Sequence, residues 1–209
     1  MQQSLVRNPA MALLGQVLGL VSVAFGVTAV AGFFAKDLPY GIALIIMLCS
    51  LPMVIAISFV RRNEALSLIC YYGMAACFGA GLGPVINQYA KTGRSDIVIQ
   101  AAGLTALGMA VIGIIAWTSS FDFRRLQGLG VLALGGLVIV GLIGLFVHFL
   151  SPTIYAWATL AVFAIIIPAD FARIRAGGDG QSAIQMATAI YLDALNVFLA
   201  ILRILSKKD

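Results

Sequence analysis

The stretch AIYLDALNVFLAILRIL, Ala189 to Leu205, sets an aspartate and an asparagine, Asp193 and Asn196, inside an otherwise apolar helix. Asn196 follows at i+3, on the same face of a helix, with Thr188 and Tyr191 just before and Arg203 near the end. A helix apolar all round needs an apolar surround. The rest of the chain says which kind. Of its 209 residues, 62% are hydrophobic and 10% charged, and the mean hydropathy is +1.06. A soluble domain holds about 45–50% apolar and about 25% charged residues. The chain is therefore read as an integral membrane protein.

Six more apolar segments precede this one, giving seven in all: Met11 to Phe34, Pro39 to Val60, Ala65 to Tyr89, Ile97 to Trp117, Gly128 to Phe149, Thr153 to Ile174 and Ala183 to Leu205. At about 20 residues per spanning helix, seven spans take up roughly 140 residues. Only short connections remain, so the expectation is one all-α, polytopic membrane domain over residues 1–209. The breaks KDLP, RRNE, KTGRSD, TSSFDFRRLQ, SP and RIRAGGDGQS are charged or turn-rich, as connections should be. The fifth and sixth segments are joined only by Leu150 to Pro152, which demands a tight antiparallel pair.

The first segment also has two marks of a signal peptide, Arg7 ahead of it and Ala29-Val30-Ala31 near its end. Its apolar core is longer than the roughly 7–15 residues of such a peptide, so it is read as a span. With the N-terminus inside, Arg7, Arg61, Arg62, Arg124, Arg125, Arg173 and Arg175 lie on the inner side. Lys36, Lys91 and Arg94 lie in the outer loops, with Arg203, Lys207 and Lys208 at the C-terminal end. The loops favour a cytoplasmic N-terminus by the positive-inside bias. The net charge of +5 is scattered in ones and twos, which points to anionic lipid rather than to nucleic acid.

Cys49, Cys70 and Cys77 show no metal-binding spacing and read as small core residues. His148 reads as an interfacial anchor and Glu64 as a solvated loop charge. No Ser/His/Asp set, HExxH or phosphate loop is present, so no enzyme is expected and no cofactor is called for. The glycines within the spans, Gly15 and Gly19 at GxxxG spacing and Gly135, Gly136, Gly141 and Gly144 among them, suit close helix packing in lipid. The run FGAGLGP, with Gly79, Gly81, Gly83 and Pro84, is expected to weaken or kink the third helix, and Pro52 and Pro168 to kink the second and sixth.

An ionised aspartate at Asp193's depth costs about 3 kcal/mol on insertion scales. It must be paired, protonated or wet. Two readings stand: a polar face that holds helices together, or a proton or cation site. Asp170, in IIIPADFARI, has Arg173 at i+3, which suits an ordinary helix-end ion pair. The sixth span ends on the side where the seventh begins, so a tilt or a kink at Pro168 brings Asp170 and Asp193 within reach of each other. A carboxylate pair in a low dielectric shares a proton and titrates as a unit. Arg61 and Arg62 end the second span on that same side.

These residues carry a family likeness. AIYLDALNVFLAILRIL resembles the C-terminal signature of the Bax inhibitor-1, or transmembrane Bax inhibitor motif, family. FGAGLGPVINQY resembles the glycine-rich end of that family's third helix, TALGMAVIGIIA with FDFRRL its fourth helix and loop, and IIIPADFARI its sixth-helix aspartate motif. The resemblance runs in order over essentially the whole chain. It implies seven helices with the last one central, a bacterial inner membrane, and a pH-sensitive calcium leak. In that picture Asp170 and Asp193 form a di-aspartyl proton sensor, Arg61 is its latch, and Asn196 is a polar neighbour. Ca2+ would be the transported ion, with the same two aspartates as its candidate ligands. Two departures stand out. Ser50 occupies a position where calcium-active members can carry an acidic residue, and Ala169 a position that is often tyrosine. Loss of a carboxylate weakens the calcium case, because a hard divalent cation wants several oxygens. Another branch of the family lacks the aspartate pair and is associated with regulating a membrane-bound protease, which leaves a membrane protein partner as the competing expectation.

Overall fold

The computed structural model describes residues 9–146 and 151–207. Among these the regular elements are helices: α1 (Pro9–Ala35), α2 (Tyr40–Leu48), α3 (Ser50–Phe59), α4 (Glu64–Lys91), α5 (Ser95–Thr118), α6 (Gln127–Phe146), α7 (Pro152–Arg175) and α8 (Ala183–Ser206), with a short 3-10 turn over Phe123–Leu126. Seven helical stretches are long and apolar enough to cross a membrane, α2 and α3 together making the second. The protein is a multi-pass membrane protein. Arg7, His148, Leu150 and Lys208, on which the charge balance, the interfacial histidine and the tight fifth-to-sixth connection rest, lie outside the described residues.

Charge and turn chemistry set the helix ends. α1 stops before Lys36 and Asp37, α3 before Arg61 and Arg62, and Asp96 and Lys91 sit in the first turn of α5 and the last turn of α4. Each of the latter two complements its helix dipole. Between α7 and α8 the chain turns through Gly177, Gly178, Asp179 and Gly180, all at positive φ, a left-handed run that glycine adopts without strain. Ahead of α6, Asp122 accepts from the Arg124 backbone N–H at 3.2 Å and from its Nε at 2.9 Å. The Arg124 side-chain bond holds Asp122 below its ordinary 3.8, so what the pair adds to the turn is present above that pH and fades as pH falls through the lowered value.

The second span is broken at Cys49, three residues ahead of the proline that marks it in the sequence. A proline ring collides with the carbonyl four residues back, which for Pro52 is that of Leu48, the last residue of α2. Restarting the helix at Ser50 leaves Pro52 in a first turn, where its missing N–H has no intrahelical partner to lose. The loose ends are satisfied locally. Ser50 Oγ donates to the Met47 carbonyl at 2.6 Å, and the Cys49 N–H reaches the carbonyls of Ile45 at 3.2 Å and Ile46 at 3.1 Å.

The chain forms two compact units, Met1–Val85 with Arg173–Ala189, and Ile86–Ala172 with Ile190–Asp209. In the first, α1 and α4 meet through glycine. A Cβ on Gly79 would lie 2.8 Å from Thr28 Cα and closer still to the Thr28 carbonyl oxygen, and one on Gly83 would strike the Gly32 carbonyl. Thr28 Oγ1 shares its one proton between the Ala24 carbonyl of its own helix at 2.9 Å and, across the same seam, the Ala75 carbonyl at 3.1 Å. Gly81 faces elsewhere: its Cβ would stand 2.5 Å from Met47 Cβ on α2. So α4 runs unbroken from Glu64 to Lys91 with Pro84 inside it, and the glycines expected to weaken it are filled packing positions. Packing takes the place of the hydrophobic effect in lipid. Gly15 and Gly19, despite their spacing, have nothing within 4 Å of a built Cβ.

In the second unit Ile97, Ala101 and Leu202 form a buried cluster, with Tyr89, Val98, Phe198, Ile201 and Leu205 packed against it. The end of α8 is held there. Tyr89 Oη and Ser206 Oγ share a hydrogen bond of 2.5 Å, and Arg94 Nη2 donates to the Ser206 carbonyl at 3.1 Å. A cation at a helix C-terminus complements the dipole as well as the carbonyl. Arg94→Ala is therefore expected to lower stability by about 1–2 kcal/mol, read as an earlier thermal unfolding in detergent; an unchanged midpoint would leave the Arg94 bond without energetic weight. Half of the last span's window is buried, the largest share of the seven, against 11% for the fifth.

Candidate functional site: the buried charges of the last two spans

Among the described residues three charged side chains are buried, Asp170, Arg173 and Asp193, at 8%, 7% and 5% exposure. Asp193 sits at the middle of α8 and Asp170 near the end of α7. Both belong to the second compact unit, and both are engaged in polar or electrostatic interactions. On the same helix Ile190 and Val197, one turn either side of Asp193, are buried with it.

Of the other sequence candidates, Asn196 spends its amide on its own helix, Nδ2 donating to the Leu192 carbonyl at 2.8 Å. Thr188 does likewise with the Ile184 carbonyl at 2.8 Å. Arg61 is exposed, in the turn after α3 in the first unit. The guanidinium that is buried is that of Arg173, whose Nη1 donates to Gln181 Oε1 at 3.2 Å. The i+3 spacing from Asp170 marked Arg173 in the sequence, but only as a helix-end pair; its burial was not legible there. Ser50 is 1% exposed, with its hydroxyl turned to the Met47 carbonyl at the helix break.

The cysteines depart from expectation. Cys49 is exposed and Cys70 and Cys77 are half-buried, so none of them is core. In a bilayer an outward-facing small apolar side chain meets lipid, which is as apolar as the interior, and the signal that sorts residues in a soluble protein is lost.

Among the described residues no cluster of three or more His, Cys, Asp and Glu is placed to hold a metal ion. Six to eight oxygens surround a resident Ca2+, and two carboxylates do not supply them. Among the described residues the last two spans hold two buried carboxylates in the second unit and one buried guanidinium, that of Arg173, in the first.

A polytopic helical membrane protein with two carboxylates buried in its last two spans is the class these features define. The chain belongs to the Bax inhibitor-1 family: the family model described as "Inhibitor of apoptosis-promoting Bax1" matches residues 8–209. Among curated relatives, an uncharacterized membrane protein of Vibrio cholerae is 30% identical over 78% of this chain and 74% of its own length. A protein of Escherichia coli K12 named "Modulator of FtsH protease YccA" is 28% identical over the same shares. Its counterpart in Escherichia coli O6:H1, equally similar, is named "Inner membrane protein YccA".

Proposed function

We propose that the protein is a pH-sensitive cation leak pathway of a bacterial inner membrane, with Ca2+ as the ion, a cytoplasmic N-terminus, and Asp170 and Asp193 as the proton-sensing pair. The observation that carries this reading is the burial of two carboxylates, Asp170 and Asp193, in one compact unit, at 8% and 5% exposure. Charges out of water persist only when balanced. For two carboxylates in one unit, a proton or a cation supplies part of that balance. Exchange of the one for the other is the elementary act of a proton-sensitive leak.

Arg61 serves as a latch only when its turn brings it inward, since it is exposed in this state; Arg173 is the cation already buried. Ca2+ passes such a site in transit, keeping water among its ligands. The name of the Escherichia coli relative, a modulator of a membrane protease, favours a second reading, in which the chain binds and regulates a membrane protein without ion flux.

The deciding experiment is Ca2+ entry into dye-loaded proteoliposomes between pH 5 and pH 8. The leak reading expects flux above that of empty liposomes, varying with pH. Flux equal to that of empty liposomes at every pH, from protein that unfolds cooperatively on heating, would overturn it in favour of the regulatory reading.

A further inference from the structure

Cys49, at the break between α2 and α3, is exposed, and Cys77, on α4, is half-buried. Two close approaches fix how these spans lie against each other. At one end a Cβ on Gly81 would stand 2.5 Å from Met47 Cβ and 3.2 Å from the Ala43 carbonyl; at the other a Cβ on Gly73 would stand 3.0 Å from Met53 Sδ. Residues 73, 77 and 81 are spaced by four and form one ridge of α4. Antiparallel to that ridge, the second span runs from Met53 back to Met47. Cys77, midway between the two approaches on α4, therefore faces the stretch midway between Met47 and Met53, where Cys49 and Ser50 stand. Ser50 is buried and its hydroxyl is committed to the Met47 carbonyl. The thiol of Cys49 lies within electrostatic reach of that of Cys77.

We propose that Cys49 and Cys77 are an oxidant-sensing thiol pair that closes a disulfide between the second and third spans at the helix break, with organic hydroperoxides of the bilayer as the oxidant. Exposure divides the roles. Cys49, open to lipid, meets the hydroperoxide; its sulfur takes the terminal oxygen, S–H becomes S–OH, and the alcohol leaves. Cys77 then attacks the oxidised sulfur, the S–OH bond breaks, and water departs with the thiol proton. In sum two thiols and one hydroperoxide give one disulfide, one alcohol and one water, each sulfur losing one electron to the peroxide oxygen. This is the first, reversible rung of cysteine oxidation followed by its resolution. A disulfide needs Cα atoms roughly 4.4–6.8 Å apart, and Gly81, one turn from Cys77, is in contact with Met47, two residues from Cys49. The oxidant must dissolve in hydrocarbon, because the pair lies midway along a span; polar thiol reagents of the aqueous phase are kept away from it. Once closed, the bond ties the broken span to an unbroken one and removes the freedom of the break. The inference rests on the packing of α2, α3 and α4 and does not depend on ion flux.

The test uses the full-length protein, reduced and then treated with cumene hydroperoxide in liposomes, with free thiols counted by a mass-tagging maleimide after denaturation. The wild type, with three cysteines, is expected to fall to one free thiol and to recover all of them on reduction. Cys70→Ala is expected to fall to none, and Cys49→Ser to keep both of its thiols. Cys77→Ser, which cannot resolve, is expected to accumulate a dimedone-reactive sulfenic acid at Cys49, and peptide mapping of the oxidised wild type to find Cys49 joined to Cys77. Thermal unfolding checks that each variant is folded. Three thiols persisting through the treatment, a bond that joins two chains, or one that involves Cys70 would each overturn the proposal.

Discussion

Gly79→Ala is expected to destabilise the protein by about 1–3 kcal/mol, the range for overpacking a filled position, and Gly79→Val to prevent its accumulation as folded protein. In a helix this substitution would ordinarily help, since alanine is favoured over glycine by about 1 kcal/mol. Position 79 reverses the sign because of what the new methyl meets. It would lie 2.8 Å from Thr28 Cα and 2.9 Å from Thr28 C, backbone atoms that no rotamer change moves. Relief requires α1 to shift away from α4, which also gives up the Thr28 bond to the Ala75 carbonyl. The contrast lies within the same protein: at Gly15 and Gly19 a built Cβ meets nothing within 4 Å, so alanine there is expected to be neutral or slightly stabilising. Thermal unfolding of the three alanine variants in one detergent decides the matter. Equal midpoints for Gly79→Ala and Gly15→Ala would mean that the α1–α4 seam carries no weight.

That contrast shows what the sequence discloses and what it does not. The spans themselves were legible, because length, apolarity and flanking charge are summed over about twenty residues and the sum is large; the structure places the last span at Ala183–Ser206, one residue beyond the sequence reading. The packing between spans was not. GxxxG spacing at Gly15 and Gly19 suited close approach but lies open, whereas FGAGLGP looked like a weak point and holds the tightest approaches in the first unit. Composition tells that a backbone can approach, and only the fold tells whether one does. Pro52 gave notice of a disturbed second span, and the geometry of the ring placed the break upstream of it, at Cys49. The aspartates were legible, since a carboxylate in an apolar helix is costly wherever it lies. Which arginine is buried was less so: Arg61 and Arg173 both stand near the ends of spans, and burial alone distinguishes them.

The other large effect belongs to Asp193→Asn, which, on the proposed leak reading, is expected to leave the protein folded and to remove the pH dependence of Ca2+ flux. Asparagine keeps the size of the side chain and two polar ends, so the space that the buried Asp193 side chain fills stays filled; what is lost is the capacity to give up a proton. A single titrating group gives at most about a tenfold change per pH unit, so whichever of pH 5 and pH 8 gives the larger flux in the wild type, the ratio between them, bounded at about a thousandfold, is expected to fall to near one. Asp170→Asn is expected to do the same. If the two share a proton, the double variant should be no flatter than either single one, because groups that act as a unit are not additive. Proteoliposome flux across the pH range, with unfolding midpoints for each variant, separates the cases. A sensor predicts three flat profiles at nearly wild-type stability. A face that only holds helices together predicts midpoints that fall by several degrees while whatever pH dependence the wild type shows persists, since removing a titratable group that senses nothing leaves the true sensor in place. A wild-type profile surviving in both single variants would therefore move the proton site away from the last two spans, even if the leak itself is real.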